Sequence, residues 1–510
     1  MGKFARWIGC LLLLAGLPVL AAGCAGKPAA GRMADGGPDR TRITIFANLH
    51  TEEVPDPRIE ERVEELTNVD LEIHWIPDGS YDEKVNAAIV TGSLPHALFL
   101  KNAASLQDFR DEMRSGMFWE IGSRLHRYPN LSRLKPDMLR HLSVDGRIYG
   151  LYQERPLSRQ GVIYRKDWAD RLGLKAPESI GDLYEMLWRF THDDPDGNGL
   201  DDTIGLADRG DLVYGAFKTV GSYHGVPNGW GEKDGMLLPE FMFEEYIDTM
   251  RFFRKLHEEG LINRNFPVTG KVDQQALLTR GTAGVYIGAM GDVITLQAKL
   301  RETDPDAELD VVNRIAGPHG YRIWAGEGYG TAVLFPRASN RTEAELDAVL
   351  SLFDRLMSAE LANLLYWGIE GRHYEVRNGK AYISGDVGLT TKEVKPYNAL
   401  LVGGRDTIPG LLKPEFGLAV RAKAERLIED NAAFAVHDPT TALDSPTRNE
   451  RGEWLRRIID DATWQFILGM IDEEGFRRAV DRWREEGGDR IIREINEAHR
   501  RSSDGHGTPP

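Results

Sequence analysis

The stretch DDPDGNGLDDTIG, from Asp193 to Gly205, holds five aspartates, one asparagine and three glycines, with almost nothing apolar to bury. Counted from Asp194, positions one, three and five are Asp194, Asp196 and Asn198, position six is Gly199, seven is Leu200 and nine is Asp202. At that spacing alternate side-chain oxygens converge on one point, the glycine permits a sharp bend, and Leu200 can offer its carbonyl. Such an all-oxygen set suits Ca2+. Gly205 stands where an EF-hand places its bidentate glutamate, so the reading is a single-loop structural clip between a helix and the strand TIGLA. A metal-free turn closed by its own side-chain to backbone hydrogen bonds uses the same residues, and both readings stand.

The second group with chemistry is aromatic. Trp230 in PNGWGEKDG, Trp324 in YRIWAGEGYG and Trp367 in LLYWGIEGRHY fall in glycine-rich loops instead of helical stripes. A flat ring packs on the apolar face of a pyranose while Asn, Gln, Glu and Lys take its hydroxyls. Tyr152, Gln153, Tyr214, Phe217, Glu327, Tyr329 and Glu370 are the companions in reach by sequence. Each ring equally serves as a loop anchor against a core.

Motifs for covalent or phosphoryl chemistry are missing: no P-loop, HExxH or GxSxG, and no strand-turn-helix with GxGxxG. GEGYGTAV lacks the third glycine and reads as the start of a strand. A glycosidase needs two carboxylates across a sugar, and 79 acidic residues supply many accidental pairs without singling one out.

Elements that position these groups follow from periodicity. RITIFAN alternates as a strand, DPRIEERVEELTNV reads as a helix and LEIHWIP as a second strand. SYDEKVNAAIVTGS then reads as a helix with a serine cap, and HALFL as a buried strand. This alternation predicts a parallel, helix-covered sheet, whose ligands sit beyond the carboxyl ends of its strands. That places Asn48, Lys101 and Asn102 among the candidates. DLYEMLWRFTHDD is a helix running into the acidic loop. EEYIDTMRFFRKLHEEGLI is another, with Tyr246, Met250, Phe253 and Leu256 on one stripe and Gly260 at its end. EWLRRIIDDATWQFILG puts Leu455, Ile458, Ile459, Ala462 and Phe466 on one face, and FRRAVDRWREEG and DRIIREINEAHR complete a helical C-terminal region. Its Trp454, Trp464 and Trp483 read as core or rim.

At 510 residues the chain exceeds one ordinary core. With 63 basic against 79 acidic residues it lacks the basic surface that a nucleic-acid partner requires. Residues 1–23 read as an export signal: Lys3 and Arg6 precede the apolar LLLLAGLPVLAAG, which is too short to span a membrane. Ala21-Ala22-Gly23-Cys24 resembles the bacterial lipobox, with alanine where leucine is preferred, and implies lipidation at Cys24; plain secretion is the alternative. Cys10 leaves with the signal, so the mature fold stands without disulfides. Residues 24–41 form a small, polar, flexible tether. Together these place the protein at the extracellular face of a membrane.

YRKDWADRLGLKAPESIGDLYEML, DPDGNGLDDTIGL, KLHEEGLINRNF, GIEGRHYEVRNG and EEGGDRIIREINEA, with the lipobox, resemble the lipoprotein solute-binding proteins of bacterial carbohydrate ABC importers. The resemblance is strongest to the subgroup of alginate- and oligosaccharide-binding lipoproteins. It implies an α/β, two-lobed periplasmic-binding-protein-like fold with discontinuous lobes, lobe 1 from 42–140 and 325–390 and lobe 2 from 141–324 and 391–500, with a disordered tail at 501–510. It further implies a monomer holding an oligosaccharide in the cleft and delivering it to the transmembrane subunits of an ABC permease, without catalysis. In the alginate-binding members the acidic loop holds structural calcium, carried over to Asp194, Asp196, Asn198, Leu200 and Asp202; Thr203 replaces their further glutamate. An extracellular carbohydrate-active enzyme and a surface sugar sensor are the alternatives. An acidic sugar would call on Lys101, Arg159 or Arg372.

Overall fold

The strand Thr41–Leu49 is exposed at its first residues and buried on both faces thereafter, as expected of a strand inside a covered sheet. It pairs in parallel with Val69–Pro77 along nine residues and with Ala97–Phe99. Tyr329–Leu334 joins Ala97–Phe99 antiparallel, and Gly150–Glu154 closes the far edge. Only Tyr329–Leu334 therefore runs against the others, since Gly150–Glu154, antiparallel to it, points the same way as the first three strands. The two added strands arrive from distant parts of the chain instead of through a helical crossover, so nothing forces their direction.

This computed structural model describes residues 40–504 apart from His50, Glu52, Ala103 and 384–386. The export signal, Cys24, the tether and residues 505–510 lie outside the described residues. Among the described residues no helix is long and apolar enough to cross a membrane.

The helix Arg58–Thr67 buries Ile59 and Val63 and ends at Asn68, whose left-handed φ of 56° lets its N–H reach Glu64 O. Ser80 precedes the helix Tyr81–Thr91 as predicted, but its hydroxyl donates to Pro77 O (3.3 Å) and makes no cap bond. The first core joins this sheet to Glu343–Leu356 and Ala359–Trp367. Phe353 sits at its centre, fully buried between Phe99 and Phe335 with ring centroids at 5.9 and 5.7 Å.

A second, four-stranded sheet runs in the order Leu309–Val312, Gln160–Arg165, Ala283–Ala289, Ile204–Ala207. Its core holds the stripe Tyr246, Met250, Phe253 and Leu256 and the face Leu455, Ile458, Ile459, Ala462 and Phe466, so the C-terminal helices pack on this lobe. Trp483 is buried against Phe241, Trp464 is half-buried and Trp454 is exposed. The sheet's other face packs Ile163, Tyr286 and Val311 against Ala424 and Ile428. The chain passes between the two cores along 153–161, 324–328 and 412–419. The final helix continues through Asp504.

Phe353→Ala, which empties the centre of the first core, is expected to cost about 3–5 kcal/mol, read as a lower urea midpoint at unchanged m-value.

Candidate functional site

Two of the passages between cores run side by side. Arg155 N donates to Gly328 O (2.8 Å) and Gly326 N to Leu157 O (2.7 Å), while Ala325 N donates to Val436 O (3.0 Å). The buried Asn228 fastens this seam, its Nδ2 donating to Ala325 O at 2.7 Å and Val436 O at 2.9 Å. Gly328 is required at the closest approach: its φ is 77°, and a Cβ there would collide with Met138.

Polar groups that neither core absorbs collect at this seam. Glu327 is half-buried; Thr441 hydrogen-bonds its carboxyl, but its Oε2 is buried and has no hydrogen-bond partner among the described residues. Burial pushes its carboxyl up, and the nearby Asp438 pushes it further. Asp438 is itself raised by burial, although Thr440 donates to its Oδ1 from both N and Oγ1 at 2.7 Å. Tyr329 is buried within electrostatic reach of Glu327 and Arg110. Arg110 is also buried and its Nε is unpartnered; its nearest acid is Asp444 at 3.9 Å. His141 Nδ1 lies 3.2 Å from Glu327 O, and burial lowers its pKa. A buried acceptor and a buried donor left open are what hydroxyl groups of a ligand can satisfy.

Beside the seam stands an aromatic wall. Tyr214 is 57% exposed, and its ring meets that of the half-buried Trp324 edge-on at 6.0 Å. Trp324 is fixed by Nε1 donating to Thr219 Oγ1 (3.1 Å), and Lys218 Nζ sits 5.5 Å from its ring centre. The cavity beneath, of about 30 Å³ and lined in part by Phe217, Tyr246 and Asp460, has room for water and not for a sugar.

Of the sequence candidates, Trp324, Glu327 and Tyr329 follow one another along this stretch, and Tyr214 packs on Trp324. The others lie elsewhere. Phe217 is packed between Tyr246 and Phe253, and Trp230 is buried in the second core, leaving neither ring a free face. Tyr152 is fully buried in the first core, its hydroxyl accepting from Lys135 N (2.7 Å), and Gln153 donates to Asn398 O. Trp367 packs with Tyr374 and Ala381, its Nε1 donating to Leu412 O (3.2 Å); Glu370 is exposed nearby. Asn48, Lys101 and Asn102 gather at the strand ends of the first sheet. Asn48 donates to Asp78 (2.9 Å), Lys101 pairs with Asp82 (3.2 Å), and Asn102 accepts from Ser105 N (3.1 Å). Arg110, His141 and Asp438 escaped the sequence reading, because nothing local marks a residue whose neighbours in the fold come from distant parts of the chain.

In the acidic loop, Asn198 Nδ2 donates to Asp196 (2.9 Å) and to Asp202 (3.2 Å), while Asp194 accepts from the N–H groups of Asn198 (3.1 Å) and Gly199 (3.0 Å). Asp194 adopts a left-handed φ of 47°. Two carboxylates therefore face the Asn198 side-chain amide, and the third is held by backbone N–H groups. Leu200 N donates to Asn198 Oδ1 (2.6 Å), and Thr203 turns inward to donate to Phe190 O (2.8 Å).

Residues 53–348 match the family described as bacterial extracellular solute-binding protein, and the chain belongs to that family. It is 40% identical over 509 residues, 98% of this chain and 100% of the relative, to the polygalacturonan/rhamnogalacturonan-binding protein YtcQ of Bacillus subtilis strain 168. It is 33% identical to lipoprotein LipO of the same organism, over 90% of this chain and 92% of that one. Among solved structures, the alginate-binding protein AlgQ2 without calcium ion superposes with a TM-score of 0.65 at 16% identity, covering 92% of this chain and 99% of that one. These relationships and the two cores define a two-lobed α/β solute-binding protein.

Because folding raises the Glu327 pKa, the protonated form is favoured in the native state and this group's contribution to stability declines as pH rises through its folded value. Glu327→Gln is therefore expected to raise the thermal midpoint at neutral pH and to flatten the fall of that midpoint as pH rises above the ordinary glutamate range; an unchanged profile would contradict a carboxyl destabilised by burial.

Proposed function

We propose that this chain captures an oligosaccharide outside the cell, in the seam between its lobes, and delivers it to the transmembrane subunits of an ABC importer without altering it. The observation that carries this reading is the exposed Tyr214–Trp324 pair, with Trp324 three residues before the unpartnered Glu327 oxygen on a passage where the chain crosses between cores. An apolar ring face beside open hydrogen-bonding groups is the chemistry of a pyranose site. Passages between lobes are also where closure has its hinge, and closure would present both lobes to the permease. A polysaccharide-derived ligand is supported by the name of the relative that shares 40% identity. Binding without catalysis is supported by the family's description.

Lipid anchoring at Cys24 belongs to the same proposal, supported by the lipobox-like Ala21-Ala22-Gly23-Cys24 and by a relative named as a lipoprotein. So does Ca2+ in the acidic loop. The spacing of Asp194, Asp196, Asn198 and Asp202 supports this reading, as does a solved neighbour described as the form without calcium ion. Among the described residues no carboxylates gather as a metal site, and Asn198 turns its Nδ2 to Asp196 and Asp202, so the ion would require that amide to turn its oxygen inward. The ion would supply charge neutralisation for three carboxylates and brace the second lobe.

Three measurements test these readings. Incubation with a panel of oligosaccharides should return the sugar intact and raise the thermal midpoint, whereas new reducing ends would sink the receptor reading in favour of an enzyme. Trp324→Ala should weaken binding of the same sugar by roughly tenfold or more, read by calorimetry. A chelator should lower the thermal midpoint and added Ca2+ restore it, with Asp196→Ala abolishing both responses; a chelator without effect leaves a metal-free turn.

A further inference from the structure

We infer that Arg114 and Asp444 form an ion-pair latch between the two lobes, which holds them in the arrangement that takes the ligand. This inference rests on the oligosaccharide reading above and adds a pair of positioning residues that set its affinity from outside the site.

The two residues stand on different cores. The helix Arg110–Arg114 is anchored by Met113, and the hairpin turn that carries Asp145 by Val144, both buried in the first core. Asp444 lies between Leu443, buried in the second core, and Ser445, which caps the helix Pro446–Ile467 by accepting from Arg448 N (3.1 Å). Arg114 Nη2 donates to Asp444 Oδ2 at 3.2 Å although the two are 330 positions apart, and Arg110 Nη1 lies 3.9 Å from the same carboxylate. Among the described residues no other ion pair joins the two cores. Neither partner is on a passage, so a change in the angle between the lobes changes the separation of Arg114 from Asp444.

Each end is built in advance. Arg114 Nε donates to Asp145 Oδ2 (3.1 Å) and its Nη1 to Asp111 Oδ1 (3.1 Å), which fixes the guanidinium on the first core. Asp444 Oδ1 accepts from Asn449 Nδ2 (3.0 Å), and its loop is held by Arg448, which donates to Leu443 O and to Thr440 Oγ1 (3.2 Å). Little side-chain freedom is left to lose when the two meet. Each charge also keeps a partner of its own when they part, so opening strands neither and the latch is reversible. Arg110 supplies the bias toward closure. It is buried, its Nε has no hydrogen-bond partner among the described residues, and separation would take away its nearest acid.

The latch is tied to the seam. Asp444 ends the short loop that begins at Val436, whose carbonyl accepts from Ala325 N and Asn228 Nδ2. Asp438, on that loop, packs so closely on Gly229 that a Cβ there would stand 2.5 Å from its Oδ2. Holding Asp444 therefore steadies the loop that carries the Asp438 carboxyl at the site. The Arg114 side chain is 36% exposed and that of Asp444 27%, so water and salt reach the pair and weaken it.

Small-angle X-ray scattering of the ligand-free full chain reads the latch without any ligand. Asp444→Asn and Arg114→Gln are each expected to raise the radius of gyration, as is raising NaCl from about 0.05 M to about 0.5 M for the unaltered chain, and the variants should respond less to salt. In calorimetry with trigalacturonate at low salt, each variant should bind about two- to fivefold more weakly, since less of the ligand-free chain is in the competent arrangement. The double variant should bind no more weakly than either single one, because the second substitution removes a bond already broken. A general charge effect on this anionic probe would instead weaken binding in Arg114→Gln and strengthen it in Asp444→Asn. That pattern, additive losses in the double variant, or a radius of gyration unchanged or reduced in both single variants would overturn the latch and leave the oligosaccharide reading intact. Larger radii in the variants of a chain that binds no oligosaccharide would support the latch and overturn the oligosaccharide reading.

Discussion

Everything functional in this structure depends on the hydrogen-bonded seam between the passages that link its two cores. Arg155 to Gly328, Leu157 to Gly326 and Ala325 to Val436 tie backbones from three distant parts of the chain, and the amide of Asn228 fastens two of them at once. Each core closes on its own apolar residues, one around Phe353 and one around Phe253, so neither draws in the polar groups at the junction. Those groups remain partly desolvated and incompletely paired. A binding site is what is left where two complete hydrophobic cores share a few strands of backbone.

The contrast between two buried carboxyls shows how the junction differs from the interior. Asp208 lies fully within the second lobe with its pKa pushed up to about 7 by burial, but its Oδ1 accepts from Ala216 N (2.9 Å) at the start of a helix, so its role is architectural. Glu327 is also raised by burial, yet one of its oxygens has no partner among the described residues. Desolvating an acceptor without satisfying it costs stability, and the cost is recovered only when a donor arrives. The same reasoning applies to Arg110, whose Nε is equally open.

Periodicity made much of the scaffold legible. The strands in RITIFAN, LEIHWIP and HALFL, the stripe on EEYIDTMRFFRKL and the packing face of EWLRRIIDDATWQF all follow from local spacing, because burial of one face is a local demand. The two strands added to the first sheet were not legible, since Tyr329–Leu334 and Gly150–Glu154 reach it from far along the chain. The site divides the same way. Glycine-rich context drew attention to Trp324, Glu327 and Tyr329, which share one passage, but the same context surrounds Trp230 and Trp367, whose rings turn inward. Only the tertiary fold decides which face of an indole is left open.

Hydrogen exchange with and without a bound oligosaccharide tests the central claim most directly. Binding at the seam requires that amides in 153–160, 324–330 and 436–441 gain protection together, while those of Asp194 to Asp202 remain unchanged. Protection confined to the strand ends around Asn48 and Lys101, or to the Trp367 cluster, would place the ligand elsewhere and contradict the account.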